Sequence, residues 1–156
     1  MHIRFLTVGD RQPSWVEDAF NIYISRYPRE WKFQLEVIPT KKRSKNDKSC
    51  KAQESESEII LSKFSSTDHA ILLDECGEQL SSKSLALKLN DWQLNGLDLC
   101  FIIGGPDGVS KKVQNKVNMI WSLSNLTLHH GMTRVLLAEQ LYRAYSIQVG
   151  HPYHRE

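Results

Sequence analysis

Residues 97–105 read LDLCFIIGG, a short apolar run closed by paired glycines. A run this short and this continuously apolar fits a strand buried on both faces, the habit of parallel sheets covered by helices. The rest of the chain repeats the theme. IRFLTVG (3–9) reads as a first strand, and FQLEVIP (33–39) alternates like a half-buried one. HAILLD (69–74) is a second doubly buried run, and WSLSNLTL (121–128) contains a further short strand. Helical patterns separate them at 13–27, 51–64, 81–96, 110–120 and 132–149. Pro13 suits a first helical turn, with Pro28 past the end. Ser81 is placed as an N-cap and Gly96 as a terminal glycine. Alternation of strand and helix from end to end predicts an α/β fold, a mostly parallel sheet with helices on both faces. With 156 residues, no internal repeat and no dividing linker, a single domain spanning 1–156 is expected.

Composition narrows the class. Hydrophobic residues at 40% and charged residues at 24% suit a soluble globular protein, and a net charge of +2 is too mild to imply nucleic acid by itself. Three cysteines, Cys50, Cys76 and Cys100, lack metal-ligand spacing and point to a reducing cytoplasm, with no metal site. Cys100, inside the apolar run, reads as a core residue. The opening MHIRFLTVGD does not have the form of a signal peptide, since Arg4 breaks its apolar stretch. No segment approaches the ~20 apolar residues that a membrane span needs, so a soluble, cytoplasmic protein is expected.

Several stretches allow two readings. GGPDG (104–108) leaves a buried strand at the end where parallel sheets bind ligands, and it is equally well a simple tight turn. It is neither a dinucleotide fingerprint nor a Walker loop. LLDECG (72–77) ends the neighbouring strand with Asp74 and Glu75, a paired-carboxylate site or a solvated strand end. SLSNLTLHHG (122–131) offers backbone polar groups and leucine walls to a nucleoside, or is an ordinary strand and turn, with His129 and His130 solvent-facing or capping the next helix. The basic run KKRSKNDK (41–48) is a phosphate-contacting loop, with Arg43 best shaped for the task, or a solvated charged loop.

The last helix and the tail are more specific. Eleven of the eighteen residues 132–149 are apolar and cover more than one face. That pattern predicts burial on most sides, against the sheet and against a partner chain in a two-fold dimer. Glu139 and Arg143 stand at i,i+4, able to pair with each other. Then GHPYHRE (150–156) crowds two imidazoles, a phenol, a guanidinium and a carboxylate into the end of the chain. It is a frayed tail or a reactive group held beside a site.

GGPDG, SLSNLTL, LLAEQLYRA and HPYHRE, in this order, together with VGDRQPSWVEDAF and IPTKKR, resemble the ribosomal RNA large subunit methyltransferase H family of the SPOUT class. The likeness covers essentially the whole chain. It implies an α/β fold with a C-terminal trefoil knot (the SPOUT α/β knot), a homodimer, and S-adenosyl-L-methionine as cofactor. The implied activity is methylation of N3 of a pseudouridine in 23S ribosomal RNA, within the large subunit or the assembled ribosome, and not of DNA. Position by position, it places the cofactor on Leu73, Gly104, Leu123, Ser124, Asn125, Leu126, Thr127 and Leu128. It places target binding or catalysis on Glu139, Tyr153, His154 and Arg155, with His151 and Pro152 also fitting the pattern. Gly131 departs from it, standing where a longer side chain is expected.

Methyl transfer from a sulfonium joins an anion to a cation, so alignment in a water-poor pocket does much of the work. A neutral imidazole, ordinarily of pKa about 6.5, is suited to take the N3 proton. His154 or Glu139 is the expected base, with Tyr153 on the base ring and Arg155 on phosphate or the developing oxyanion. The alternative is a non-catalytic RNA-binding or ribosome-assembly protein, which needs no adenosyl pocket.

Overall fold

In a computed structural model of the chain, residues 1–9, 12–40, 49–64 and 66–155 are described. The basic run 41–48, with Arg43, lies outside them. The elements are β1 (His2–Val8), α1 (Ser14–Ile24), β2 (Lys32–Ile38), α2 (Ser49–Lys63), β3 (Asp68–Gln79), α3 (Ser82–Leu94), β4 (Asp98–Ile103), α4 (Lys111–Gln114), β5 (Met119–Ser122), α5 (His130–Gln148) and a 3-10 turn at Pro152–His154. The strands form one sheet in the order β2-β1-β4-β3-β5. Every pairing is parallel, a step beyond the mostly parallel sheet expected.

Period-2 alternation sorts the strands' side chains onto two faces. Ile3, Phe5, Ile71, Leu99, Phe101 and Ile103 meet α1, α3 and α5 on one face. Leu6, Val8, Ala70, Leu72, Cys100 and Ile102 meet α2 and α4 on the other. Phe5 is central to the first layer, edge-on to Phe20 with ring centroids 5.1 Å apart and tilted against Phe101 at 5.8 Å. Burying one such side chain contributes about 2–3 kcal/mol. Cys100 is a core residue, its thiol pushed up to about 12 by burial.

Local signals explain most boundaries. Ser81 caps α3 by accepting from the Ser84 N–H at 3.1 Å, and Gly96 ends it at φ +64°, where a Cβ is disfavoured. Pro13 is the N-cap of α1 and not its first helical residue. Two expectations need correction. The helix expected over 110–120 ends at Gln114, and Met119 and Ile120 open β5. Val113, Val117 and Ile120 have helical spacing because all three pack on one cluster, but from a helix, an irregular connection and a strand. β3 runs on past Asp74 to Gln79, with a register break between Leu73 and Glu78. Gly77 permits the resumed pairing, since a Cβ there would lie 2.7 Å from backbone atoms of Ile120 and Trp121.

The apolar coat of α5 is largely used within the chain, where α5 packs on both α1 and α3. Trp15, Ile22, Met132 and Val149 stay exposed. Among the described residues no helix is long and apolar enough to cross a membrane.

At the other end of the sheet, Arg4 donates to Glu36 at 2.9 Å, Asp68 at 3.0 Å and the Lys63 carbonyl at 2.7 Å. Arg4, foremost, holds the Glu36 carboxyl below its ordinary value. The folded pKa is depressed, so this stabilisation is complete above the ordinary carboxylate value of about 4.3 and is lost as pH falls through the lowered one. Glu36→Gln is expected to cost about 1 kcal/mol at pH 7 and to lessen the loss of stability below pH ~4.3, read by urea unfolding across pH. Gly77→Ala is expected to cost about 2 kcal/mol through its backbone clash, seen as a lowered thermal midpoint.

Candidate active site

β3 is shared by β4 and β5, and Leu73 pairs with Ile103 on one side and Trp121 on the other. The loops after β4 and β5 and the irregular stretch 74–77 of β3 therefore lie at one level. Between them opens a cleft of about 880 Å³. Leu73, Gly104, Leu123, Ser124, Leu126, Thr127 and Leu128 line it. Asn125 turns aside, accepting a hydrogen bond from Gln79 Nε2 at 2.6 Å.

Each loop is held by its own chemistry. GGPDG is both a tight turn and a wall. Gly108 N–H donates to the Gly105 carbonyl at 2.9 Å, and Gly108 has φ +69°. A Cβ on Gly104 would meet Gly108 C and Val109 Cγ1 at 3.1 Å. From α2, Gln53 Nε2 donates to the Asp107 carbonyl at 2.6 Å, and Ser57 Oγ accepts from the Ser110 N–H at 2.9 Å. Buried Glu56, between them in sequence, is so close that a Cβ on Gly105 would lie 2.9 Å from its Oε2.

In the third loop Ser122 Oγ donates to the Ser124 carbonyl and Ser124 Oγ accepts from the Leu126 N–H, both at 2.9 Å. Thr127 Oγ1 donates to Glu75 Oε2 at 2.8 Å. Asp74 Oδ1 accepts from the Cys76 N–H at 2.9 Å. The two acids thus hold different segments, Asp74 its own strand and Glu75 the third loop. Leu126 is left 74% exposed at the mouth.

His129, His130 and Thr133 line the cleft from the start of α5. His129 is the N-cap, its Nδ1 accepting from the Gly131 N–H at 3.2 Å. The two imidazoles lie 4.1 Å apart, and His130 Nε2 is 2.8 Å from Gln12 Nε2. A Cβ on Gly131 would stand 2.5 Å from Gln12 Oε1, so the glycine makes room for Gln12. This is the physical counterpart of its departure from the family pattern. Sequence reasoning did not place Lys111, Gln114, His130 or Thr133 in the cleft.

Residues 150–155 of the tail fold back on α5. Gly150 at φ +66° reverses the chain, and the His151 N–H donates to the Ser146 carbonyl at 2.9 Å. His151 Nδ1 then accepts from the Tyr153 N–H at 3.2 Å. The Tyr153 hydroxyl donates to Glu139 Oε1 at 3.0 Å, with the Tyr23 hydroxyl 3.4 Å away. Burial, then these two neighbours, raises the Tyr153 pKa, so it stays a neutral donor. The expected Glu139–Arg143 pair also forms, Arg143 Nη2 and Nε reaching Glu139 Oε1 at 2.7 and 3.1 Å. Gln140 Nε2 donates to Oε2 at 2.6 Å. His154 Nδ1 is buried without a hydrogen-bond partner, and Arg155 is exposed.

Glu139, Tyr153 and the tail thus form one cluster, and the cofactor candidates form another. None of Glu139, Tyr153, His154 and Arg155 lines the cleft of its own chain. Glu139 stands six residues beyond Thr133, about 9 Å along the helix and roughly 240° around it.

Comparison with known proteins gives one answer. Residues 1–154 match the family described as "Predicted SPOUT methyltransferase". A protein of Hahella chejuensis named ribosomal RNA large subunit methyltransferase H is 44% identical over 156 residues, all of both chains. Proteins of the same name from Thioalkalivibrio sulfidiphilus, 40% identical over all of both chains, and Dichelobacter nodosus, 41% identical over 99% of both, agree. A solved structure of a probable methylase family protein from Haemophilus influenzae shares the fold with a TM-score of 0.60 at 13% identity, covering 97% of this chain and 67% of that one. A tail cluster and a three-loop cleft built from the residues that carry the resemblance, with these relatives, lead to one conclusion: the chain belongs to the ribosomal RNA large subunit methyltransferase H family of SPOUT methyltransferases.

Proposed function

We propose that this protein, one domain over residues 1–156 carrying the family's trefoil knot, is a cytoplasmic methyltransferase. It uses S-adenosyl-L-methionine to methylate N3 of a pseudouridine in 23S ribosomal RNA. The observation that carries this reading is the cleft, where seven of the eight cofactor candidates meet. Its fit to an adenosyl group rests on apolar side chains at Leu73, Leu123, Leu126 and Leu128 and on close backbone at Gly104. The leucines would flank the adenine, the third loop's backbone would meet its edge, and Gly104 would admit the methionine part. The bound cofactor supplies an electrophilic methyl group on a sulfonium.

The remaining chemistry belongs to the tail. Glu139 Oε1 already accepts three hydrogen bonds, which makes Glu139 an anchor for Tyr153 and Arg143. His154, whose Nδ1 has no partner, is the side chain for the N3 proton. Tyr153 presents a neutral phenol and ring to the base, and exposed Arg155 meets phosphate or the developing oxyanion. A homodimer unites the two clusters, the tail of one protomer closing the cleft of the other. The exposed Trp15, Ile22, Met132 and Val149 supply apolar surface for such a contact.

Calorimetry is expected to show S-adenosyl-L-methionine binding. Leu126→Ser should weaken it about tenfold, the loss of one apolar contact, without moving the thermal midpoint. No binding at all would favour an assembly factor. Mapping the methylated nucleotide in ribosomal RNA tests the target. For the shared site, a cleft-dead protomer mixed with His154→Ala should regain about a quarter of wild-type activity, because half the dimers are mixed and each holds one intact site. No recovery after confirmed subunit exchange would place cleft and tail in the same chain, and full activity in a Glu139→Ala, His154→Ala double variant would remove both from the chemistry.

A further inference from the structure

Arg26 lies just past α1, where its backbone N–H closes a turn on the Tyr23 carbonyl at 3.1 Å. Its guanidinium carbon stands over three rings, 5.5 Å from the centroid of Tyr23 and 5.6 Å from those of Tyr142 and Tyr153. Arg143 stands 5.2 Å from the Tyr153 ring. Two guanidiniums thus flank the ring of one candidate catalytic residue. They differ in what else they touch. Arg143 commits Nε and Nη2 to Glu139. Arg26 is exposed, and its side chain makes no hydrogen bond or ion pair among the described residues.

A guanidinium against aromatic faces keeps its N–H donors in one plane, pointing past the rings. The rings also restrict a long side chain that otherwise has many rotamers, so less freedom remains to be lost on binding. Glu139, the acid that holds the Tyr153 hydroxyl, is already engaged by Arg143, Gln140 and Tyr153. Arg26 therefore has charge, donors and a seat on the rings, with no carboxylate among the described residues paired to it. A phosphodiester oxygen pair matches that fork.

We propose that Arg26 is a phosphate-binding residue for the RNA strand carrying the target base, seated by the tyrosine cluster so that the strand lies against the tail. The proposal rests on the reading above that the protein methylates RNA.

The test is steady-state methylation of unmodified large ribosomal subunits by wild type, Arg26→Ala, Arg26→Gln and Arg26→Lys across a salt series. Cofactor affinity by calorimetry and mass by sedimentation are followed in parallel. For Ala and Gln, KM for the subunit should rise about tenfold, and the slope of log KM against log salt should fall by about one. Their kcat should stay within about threefold, with cofactor affinity and mass unchanged. Lys should keep the slope with a smaller rise in KM. Wild-type KM and slope in Arg26→Ala would overturn the proposal. So would a kcat loss rescued by Gln, which marks stacking alone, or a change in mass, which marks a subunit contact. A wild type that transfers no methyl to the subunit would sink the functional reading and this proposal together.

Discussion

The site depends on how β3 is paired. Leu73 is level with Ile103 across one edge and with Trp121 across the other, so the ends of β4 and β5 lie beside the register break in β3. In a parallel sheet the loops beyond such ends have nowhere to go but toward one another. The pairing is held from both faces, by Ile71 and Trp121 in one apolar layer and Leu72 and Ile102 in the other. A slip of one residue would exchange those layers, so the register carries the packing and the cleft at once.

Hydrogen bonds from α2 and from the cleft's own Glu75 give its walls their shape. Gln53 and Ser57 on α2 fasten the glycine turn, and Glu75 fastens Thr127. Several polar groups near the cleft are thus fasteners of its loops, while Leu73, Leu123, Leu126 and Leu128 give it apolar patches among glycine backbone and polar side chains. Such a mixed lining, apolar walls with a few placed polar groups, is the usual make-up of a small-molecule site.

Much of this architecture was legible. β1, β2, β4 and α5 announce themselves by apolar period, and the caps of α3 by Ser81 and Gly96. Local pattern failed where packing imitates another period, as with Val113, Val117 and Ile120, and where one glycine's contact decides the path, as at Gly77. Strand order is not a local property, so only the folded sheet shows that GGPDG and SLSNLTL border one cleft. The tail's residue types were visible, but its fold-back onto Glu139 and the part of Tyr23 and Arg26 needed the third dimension. Arg26 gives no sequence signal: one arginine after a helix is commonplace until three rings gather under it.

α5 joins the cleft to the tail cluster. Its first turn, capped by His129, borders the cleft, and its last residues turn at Gly150 into the tail. Nineteen residues make a rod about 28 Å long. Tilting it by about 2° at the capped end swings the far end by about 1 Å, a displacement large enough to cost a reaction about a hundredfold in rate. A Cβ on Gly9 would lie 3.0 Å from His130 and one on Gly131 2.5 Å from Gln12, so bulk added at the first turn would be felt, through the rod, by side chains that never approach it.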